Sequence, residues 1–225
     1  MGDFYTLSFS DNQGLSLDVQ GGKLAAIIKT VLDNNLQATK VLLIGHSTGG
    51  LAAREYLQGL ARVLDAETPI LYREDVAKII TIGAPHQGSF WAEACNAQFD
   101  ILNNAGICKL FHLNIDPNNI VVEELQPNSS ALNNLNDLAT HPLPSNIVYV
   151  SVVGIGQPIL SSLTDFHDGD GIVSDSSQNL ISVTESLPLQ QQSIKVNIPF
   201  RECSNRKKYR MSGVSVKLTP VRQPI

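Results

Sequence analysis

The stretch that decides the fold is Lys40–Leu57, with the sequence KVLLIGHSTGGLAAREYL. An apolar, partly β-branched run is followed by a Gly-rich turn with Ser47 at its tip, and then by a series of good helix formers. Gly45 and Gly49 flank the serine and lack the side chains that would collide in a very tight reversal of the chain. The stretch therefore predicts a strand, a tight turn and a helix, with the hydroxyl of Ser47 standing above a sheet.

A serine in this setting is a candidate nucleophile. The pattern G-x-S-x-G is loose on its own, and a plain turn between a strand and a helix is the alternative. Here the strand before it and the helix after it are the context that the pattern requires. Because the helix begins at once, its free N–H groups point toward the place where an oxyanion would develop. The backbone N–H of Thr48 is then the first candidate oxyanion donor.

Strand and helix patterns alternate on both sides of this stretch. The patterns predict strands at 4–9, 40–44, 76–82, 146–153 and 193–198. They predict helices from 16 to about 34 and from 47 to about 64, and a loop at 160–170. This alternation predicts an α/β architecture, in which a mostly parallel sheet is covered by helices on both faces.

The interval 89–145 is too long to be a simple connection. It is rich in asparagine and its periodicity is broken, which predicts an insertion with short helices that covers a site as a lid. Its apolar residues either form the underside of that lid or only pack it down. They are Trp91, Phe99, Leu102, Leu110 and Phe111.

Composition and charge predict one domain and a distinct tail. With 225 residues, of which 43% are hydrophobic, the chain can bury one sizeable core. The net charge of −5 argues against nucleic acid as a partner. Residues 201–225 hold seven Lys and Arg against Glu202 alone, a net charge of +6, which leaves −11 for residues 1–200. We therefore expect a domain over 1–200 and a basic irregular tail over 201–225.

The basic run 206–210, RKKYR, is either a solvated end or a contact for an anionic surface, so peripheral membrane contact stays open. No stretch has the length of a membrane span and residues 1–4 do not resemble a signal peptide, so we expect a soluble chain. Cys95 and Cys108 form either a local bridge or two separate thiols. The sequence indicates neither the compartment nor the oligomeric state.

Four stretches, in order along the chain, resemble the lipase branch of the α/β-hydrolases, including the inositol-deacylase-like relatives that act on lipid anchors. They are Gly45–Gly50 with the helix after it, IGAPHQGS at 82–89, the positions Leu125, Pro127, Ser129, Leu132 and Leu135, and DGDGIV at 168–173. They are similar to the nucleophile elbow, the strand-end segment, the start of the lid-end helix and the acid loop of that family. The resemblance covers about residues 4–198.

By this resemblance Ser47 is the nucleophile and Asp170 is the acid that orients the catalytic base, with Asp168 as the alternative acid. A cation-binding loop is the other interpretation of Asp168 and Asp170, but the further ligands of an EF-hand loop are lacking. The implied activity is hydrolysis of carboxylic esters, lipid-like because of the long lid, without a cofactor or a metal. Acyl transfer or thioester cleavage on the same fold, and a catalytically inactive remnant or binding module, are the alternatives.

Both ends of the chain depart from the family pattern. The catalytic histidine of this fold follows the last strand, but no histidine follows His167, and the segment 199–204 reads PFRECS. The other histidines are interpreted as packing or surface residues, with His167 as the first substitute. They are His46, His86, His112 and His141. Because Arg201 cannot accept a proton at neutral pH and Cys203 is a poor base, ester hydrolysis at a normal rate is not expected.

The family also has a strand and a second oxyanion donor before the point where this chain starts. That strand lies between the strand near Phe4 and the strand that ends at Ile44, so we expect a gap in the middle of the sheet. The simplest hypothesis is a family member that lacks N-terminal strands and is altered at its C-terminus.

Overall fold

The predicted alternation of strands and helices is present in the computed structural model of the chain, which describes residues 4–9, 14–96, 119–160, 166–184, 187–198 and 215–222. The strands are β1 (Tyr5–Ser8), β2 (Ala38–His46), β3 (Val76–Ile82), β4 (Val148–Ile155), β5 (Gln157–Leu160), β6 (Phe166–Gly169), β7 (Gln190–Asn197) and β8 (Ser215–Arg222). The helices are α1 (Leu17–Asp33), α2 (Thr48–Leu57), α3 (Phe90–Asn96), α4 (Ile120–Glu124), α5 (Ser130–Asn136), α6 (Asp175–Gln178) and α7 (Ile181–Thr184).

Six strands form the main sheet, in the order β1-β8-β2-β3-β4-β7. β2, β3, β4 and β7 are parallel to one another, whereas β8 is antiparallel to both of its neighbours. Apolar strands separated by helices favour such parallel pairing, and the α/β class is confirmed. Because Ser47 directly follows β2, it lies at the carboxyl edge of the parallel strands.

β8 fills the place in which the sequence predicted a gap. It pairs with all of β1 on one side and with β2, from Ala38 to Gly45, on the other. The expectation of an open gap is wrong, and that of an irregular tail is wrong for 215–222, because β8 satisfies backbone groups of β1 and β2. The alternation of Val216 and Leu218 with polar residues was the available signal, and Pro220 argued against it. Pro220 lies beyond the stretch that pairs with β1, where a proline is tolerated.

One face of the sheet carries the main core. Val41 and Leu43 of β2 are fully buried on this face, beneath Leu24 and Ile28 of α1 and Tyr56 of α2. The spacing of apolar residues in α1 gives one helical face, as predicted from the sequence. Each such buried side chain contributes about 1.5–3 kcal/mol from the area removed from water. This face therefore supports the end of β2 from which Ser47 projects.

The opposite face of the sheet is also apolar, but it is partly exposed. The register places Ile82 of β3, Val152 of β4 and Ile194 of β7 side by side on this face. Ile82 is 37% exposed, and Ile194 and Val196 are each 45% exposed. Among the described residues, α6 and α7 join α1 and α2 on the first face, where Leu180 enters the main core. The second layer of helices that the sequence predicted is not among the residues described.

Two boundaries differ from the sequence prediction. α2 ends at Leu57 instead of about 64, because Gly59 adopts a positive φ of 70° and the N–H groups of Leu60 and Ala61 both donate to the carbonyl of Glu55. The predicted loop at 160–170 is wrong in part, since β5 and β6 form an antiparallel hairpin there. This hairpin leads directly into Asp170.

The interval 89–145 contains three short helices in its described part, while 97–118 lies outside the described residues. Leu132 and Leu135 of α5 pack against Leu17 of α1 and Leu51 of α2, so the end of this interval is seated on the domain. The sequence-based hypotheses on Phe99, Leu102, Leu110, Phe111, His112, Cys108 and Cys203, and on the side chain of Cys95, lie outside the described residues. In the part of the chain described, no helix is long and apolar enough to cross a membrane.

Candidate active site

Ser47 occupies a strained turn between β2 and α2. Its φ of 54° and ψ of −131° lie in a region that residues other than glycine rarely adopt, and such strain is found at functional sites. Its N–H donates to the carbonyl of Ile82 at 2.9 Å, which ties the turn to the end of β3. Its hydroxyl does not cap α2. The turn therefore has the backbone of a nucleophile elbow and leaves the hydroxyl for other chemistry.

The close approach of α2 to the sheet requires glycine at two positions. A Cβ on Gly45 would lie 2.7 Å from the nitrogen of Gly50 and 2.8 Å from the carbonyl carbon of Gly49. A Cβ on Gly50 would lie 2.6 Å from the Cβ of Ala84. The crowding at Gly45 was predicted from the sequence, whereas the contact between Gly50 and Ala84 required the tertiary structure.

Asp170 lies over the ends of two parallel strands next to the elbow. A Cβ on Gly154, in β4, would be 2.8 Å from the Cβ of Asp170, and a Cβ on Gly83, just after β3, would be 3.3 Å from its Oδ2. Since Ser47 bonds to Ile82, the residue before Gly83, the candidate nucleophile and the candidate acid face the same strand end. The two residues are 123 positions apart in the sequence and come together only through the sheet.

The two carboxylate oxygens of Asp170 have different surroundings. Oδ1 accepts the N–H groups of Ile172 at 2.9 Å and Val173 at 2.8 Å. Oδ2 is the oxygen directed at Gly83. Burial raises the pKa of Asp170, while these N–H groups and the charge of His46 act in the opposite direction. One oxygen is thus held by the loop and the other is presented at the carboxyl edge of the sheet.

Asp168, the alternative acid, serves a different local purpose. Its Oδ1 accepts the N–H of Gly156 at 2.6 Å and the N–H of Gly169 at 2.8 Å, which joins the two strands of the β5–β6 hairpin. Asp168 is an exposed residue. Asp168 thus shapes the path into the loop, and Asp170 is the aspartate that lies beside the elbow.

Side chains that the sequence did not single out hold the loop around Asp170. Gln178 is fully buried; it accepts the N–H of Gly154 at 2.7 Å and donates to the carbonyls of Val173 and Gly154 at 2.7 and 3.1 Å. Ser177 donates to the carbonyl of Gly88 at 2.7 Å. Nothing in the Ser- and Gln-rich run 174–178 distinguishes these residues from a solvated helix start, so only the fold identifies them.

Four histidines lie in the described part of the chain, and only His86 is fully buried. His86 is fully buried beside Thr81, and burial lowers its pKa well below the usual value, so it remains neutral. His141 lies near the end of the interval 89–145, and His167 is exposed on β6. His46 is exposed at the end of β2, and its charge lowers the pKa of Asp170. The charge of His46 thus acts on the candidate acid, an interaction that the sequence did not predict.

Thr48 begins α2 directly after Ser47 and is buried. Its N–H belongs to the first turn of the helix, where N–H groups have no partner within the helix. Its Oγ1 is buried without a hydrogen-bond partner among the described residues. This position suits the predicted role of the Thr48 N–H as an oxyanion donor, which stays a prediction.

The end of β7 lies against the candidate acid. The N–H of Ile198 donates to the carbonyl of Ile155 at 2.8 Å, and a Cβ on Gly154 would lie 2.6 Å from Cδ1 of Ile198. Ile198 and Asp170 therefore share the same glycine as a neighbour. A base placed just after Ile198 would start beside Asp170, but residues 199–214 lie outside the described part of the chain.

Comparisons with known proteins bear on the family and the fold. The profile of PGAP1-like alpha/beta domains matches residues 3–164. Over 74 residues, or 33% of this chain, the sequence is 43% identical to triacylglycerol lipases of Pseudarthrobacter phenanthrenivorans and Burkholderia plantarii, covering 19% and 17% of their lengths. The mature lipase BlEst2 of Bacillus licheniformis superposes with a TM-score of 0.52 at 20% identity, over 80% of this chain and 66% of that chain.

The likeness to BlEst2 shows a shared fold, and the expected α/β-hydrolase fold is confirmed. The matched region spans less than a fifth of the length of either triacylglycerol lipase.

Proposed function

This chain belongs to the family of PGAP1-like alpha/beta domains, and from that premise we propose that it acts as a serine hydrolase of carboxylic esters with lipid-like substrates. The observation that carries the proposal is the strained elbow at Ser47 with Asp170 over the neighbouring strand end. Strain of this kind persists only where the surrounding structure enforces it. A turn that merely connects β2 to α2 would not need a serine with a positive φ.

In the proposed reaction, Ser47 Oγ attacks the acyl carbonyl and the alcohol leaves, so that an acyl-enzyme forms and water then hydrolyses it. The Thr48 N–H and the amino end of α2 stabilise the oxyanion of each tetrahedral intermediate. A base that takes the proton of Ser47 and passes it to the leaving alcohol would be oriented by Oδ2 of Asp170, because Oδ1 is held by the loop. The proposal assigns no histidine of this chain to the role of the base.

Lipid-like esters are the proposed substrates for two reasons. Two relatives with 43% identity are named triacylglycerol lipases. The interval 89–145 begins with Ser89 and Trp91, which donate hydrogen bonds to carbonyls of the loop after Asp170, so its first helix flanks the site. Contact with a lipid surface, through the basic run 206–210 or elsewhere, belongs to this proposal as well.

Covalent labelling tests the proposal directly, because a fluorophosphonate reacts rapidly only with a serine that its site activates. We expect a fluorophosphonate probe to label the chain and Ser47→Ala to abolish the label. Mass spectrometry of the labelled peptide locates the modified residue. Equal labelling of the chain and of Ser47→Ala would contradict the assignment.

Because Ile198 lies beside Asp170, a histidine introduced just after Ile198 tests whether a base at that place restores ester hydrolysis. Histidine is introduced singly at positions 199–203, and hydrolysis of p-nitrophenyl butyrate and octanoate is followed. We expect at least one variant to raise the rate tenfold or more over the parent chain. The same substitution combined with Ser47→Ala is the control and should return the rate to background.

A non-catalytic binding module is the second candidate, and it is favoured by one observation: no histidine follows His167. A cooperatively folded chain that is not labelled at Ser47 and gains no activity from any added histidine would support this candidate over the hydrolase.

A further inference from the structure

Three consecutive carbonyls in the loop after Asp170 are each taken by a different side chain. Trp91 Nε1 donates to the carbonyl of Gly171 at 3.1 Å, and Ser89 Oγ donates to the carbonyl of Ile172 at 2.7 Å. Gln178 Nε2 donates to the third carbonyl, that of Val173, at 2.7 Å. In a short surface loop such carbonyls normally accept hydrogen bonds from water. Here side chains of neighbouring segments donate these hydrogen bonds and fix the loop.

The same loop supplies the N–H groups that hold Asp170. The N–H groups of Ile172 and Val173 donate to Oδ1 of Asp170, and the carbonyls of the same two peptide units, those of Gly171 and Ile172, accept from Trp91 and Ser89. Because a peptide unit is planar, the direction of each carbonyl constrains the direction of the next N–H. A change in the outer hydrogen bonds must therefore tilt the peptide units that bind Asp170.

We propose that Ser89 and Trp91 are positioning residues for Asp170, which they act on through the carbonyls of Gly171 and Ile172. This inference rests on the proposed function for its catalytic meaning. Ser89 directly precedes α3 and Trp91 lies in its first turn, and the Trp91 N–H also donates to Ser89 Oγ at 3.3 Å. The start of the interval 89–145 and the carboxylate of Asp170 are thereby coupled through two side chains.

Trp91 is the only tryptophan in the chain. The coupling between Trp91 and Asp170 can therefore be tested by NMR with the hydrogen bonds of Ser89 and Trp91 intact. The indole N–H gives one identifiable signal in a ¹H–¹⁵N NMR spectrum. We expect this signal to shift as Asp170 is titrated and to stay constant in Asp170→Asn. The titration is repeated in a His46→Gln background, because the charge of His46 also acts on Asp170. An indole signal that does not respond to Asp170 would overturn the coupling.

Substitutions then separate positioning from general stability. Trp91→Phe and Ser89→Ala each remove one hydrogen bond to the loop, whereas Ser89→Thr keeps the hydroxyl. The ¹³C signal of the Asp170 carboxyl follows its titration. We expect the pKa of Asp170 to rise in Trp91→Phe and Ser89→Ala, because weakened N–H bonds stabilise the carboxylate less. Ser89→Thr should restore the parent behaviour, and the exposed Ser182→Ala is the matched control.

An unchanged Asp170 titration in both folded variants, Trp91→Phe and Ser89→Ala, would refute the proposal. Failure of the proposed function is a separate result, because it appears as absence of labelling at Ser47 and leaves these titrations unaffected. If a histidine-bearing variant hydrolyses esters, Trp91→Phe should lower its kcat about tenfold while KM changes less than about twofold.

Discussion

Asp168 and Asp170 are the same residue type two positions apart, yet the fold assigns them different tasks. Asp168 Oδ1 is occupied by the N–H groups of Gly156 and Gly169. Asp170 Oδ2 is aimed at Gly83, beside the strand end that anchors Ser47. The difference arises because the β5–β6 hairpin ends at Gly169, so the following residue turns toward the carboxyl edge of the sheet. The sequence indicated Asp170 through a resemblance, and the geometry gives an independent physical reason.

The two aspartates therefore predict different variants. In a variant that carries an introduced histidine after Ile198, Asp170→Asn should slow fluorophosphonate labelling of Ser47 by about tenfold or more, because the carboxylate proposed to orient that base is lost. Asp168→Asn should leave the labelling rate within about threefold and lower the free energy of unfolding by about 1–2 kcal/mol, because an amide oxygen accepts the two N–H groups less strongly. Labelling rates and urea unfolding measure both effects. A larger loss of labelling in Asp168→Asn would reverse the assignment.

Among the helices, α4 is tied to the beginning of α1 by a carboxylate. Glu124 Oε2 accepts the N–H of Leu17 at 2.8 Å, and Asp18 forms an ion pair with Arg62. Burial raises the pKa of Glu124 to about 7 and that of Glu55 to about 8, and Asp18 adds to both effects. The carboxyl groups of Asp18, Glu55 and Glu124 thus form one cluster of interacting charges. Arg54 and Arg62 are the cations that act on it.

This cluster predicts the pH dependence of stability. The folded-state pKa values of Glu55 and Glu124 lie above their unfolded values, so the folded state binds more protons between about pH 4.5 and 8. Their contribution to stability is full below the unfolded pKa and is lost as pH rises through 7 to 8. We expect the free energy of unfolding to fall by a few kcal/mol, as an order of magnitude, from pH 5 to 9.

Glu55→Gln should flatten this dependence, because an amide does not titrate. Glu67→Gln, at an exposed position, is the matched control and should leave the slope unchanged. Urea unfolding at pH 5, 7 and 9 measures the three slopes. A slope of the same size in Glu55→Gln would show that the pH dependence arises elsewhere.

At the scale of the whole sheet, the uneven coverage of its two faces by the described residues has the largest consequence. The described helices that pack on the sheet lie on one face, while the other presents partly exposed apolar side chains from β3, β4 and β7. Contiguous apolar surface of this kind binds other molecules or promotes association. β7 is also the last strand in the order of the described sheet, and edge strands are the places where sheets pair with other chains.

Charged substitutions on this face should reduce both hydrophobic dye binding and self-association. We expect Ile194→Lys with Val196→Lys to lower the binding of the dye ANS and the amount of self-association, with little change in stability because both side chains are 45% exposed. Leu36→Lys is the control, since Leu36 is 91% exposed and lies outside this face. Fluorescence titration and light scattering measure the two effects. Equal reductions in the control would show that net charge alone is responsible.

The sequence by itself determined the α/β class, the turn at Ser47 and the extent of β3. These features depend on neighbours within a few residues: an apolar period of two or 3.6, glycines around a reversal, and a short motif. It also indicated the family through four ordered motifs, and the profile match over residues 3–164 confirms that family.

The tertiary structure alone decided the features that depend on distant partners. β8 enters the middle of the sheet because β1 and β2 leave backbone groups to be paired, and its own composition argued for a tail. Ser89, Trp91 and Gln178 hold the loop around Asp170 although they lie 8 to 81 positions from it in the chain, and local sequence periodicity does not reveal such contacts. Backbone conformation is largely a local property, whereas hydrogen-bond partners and burial are set by what the whole fold brings together.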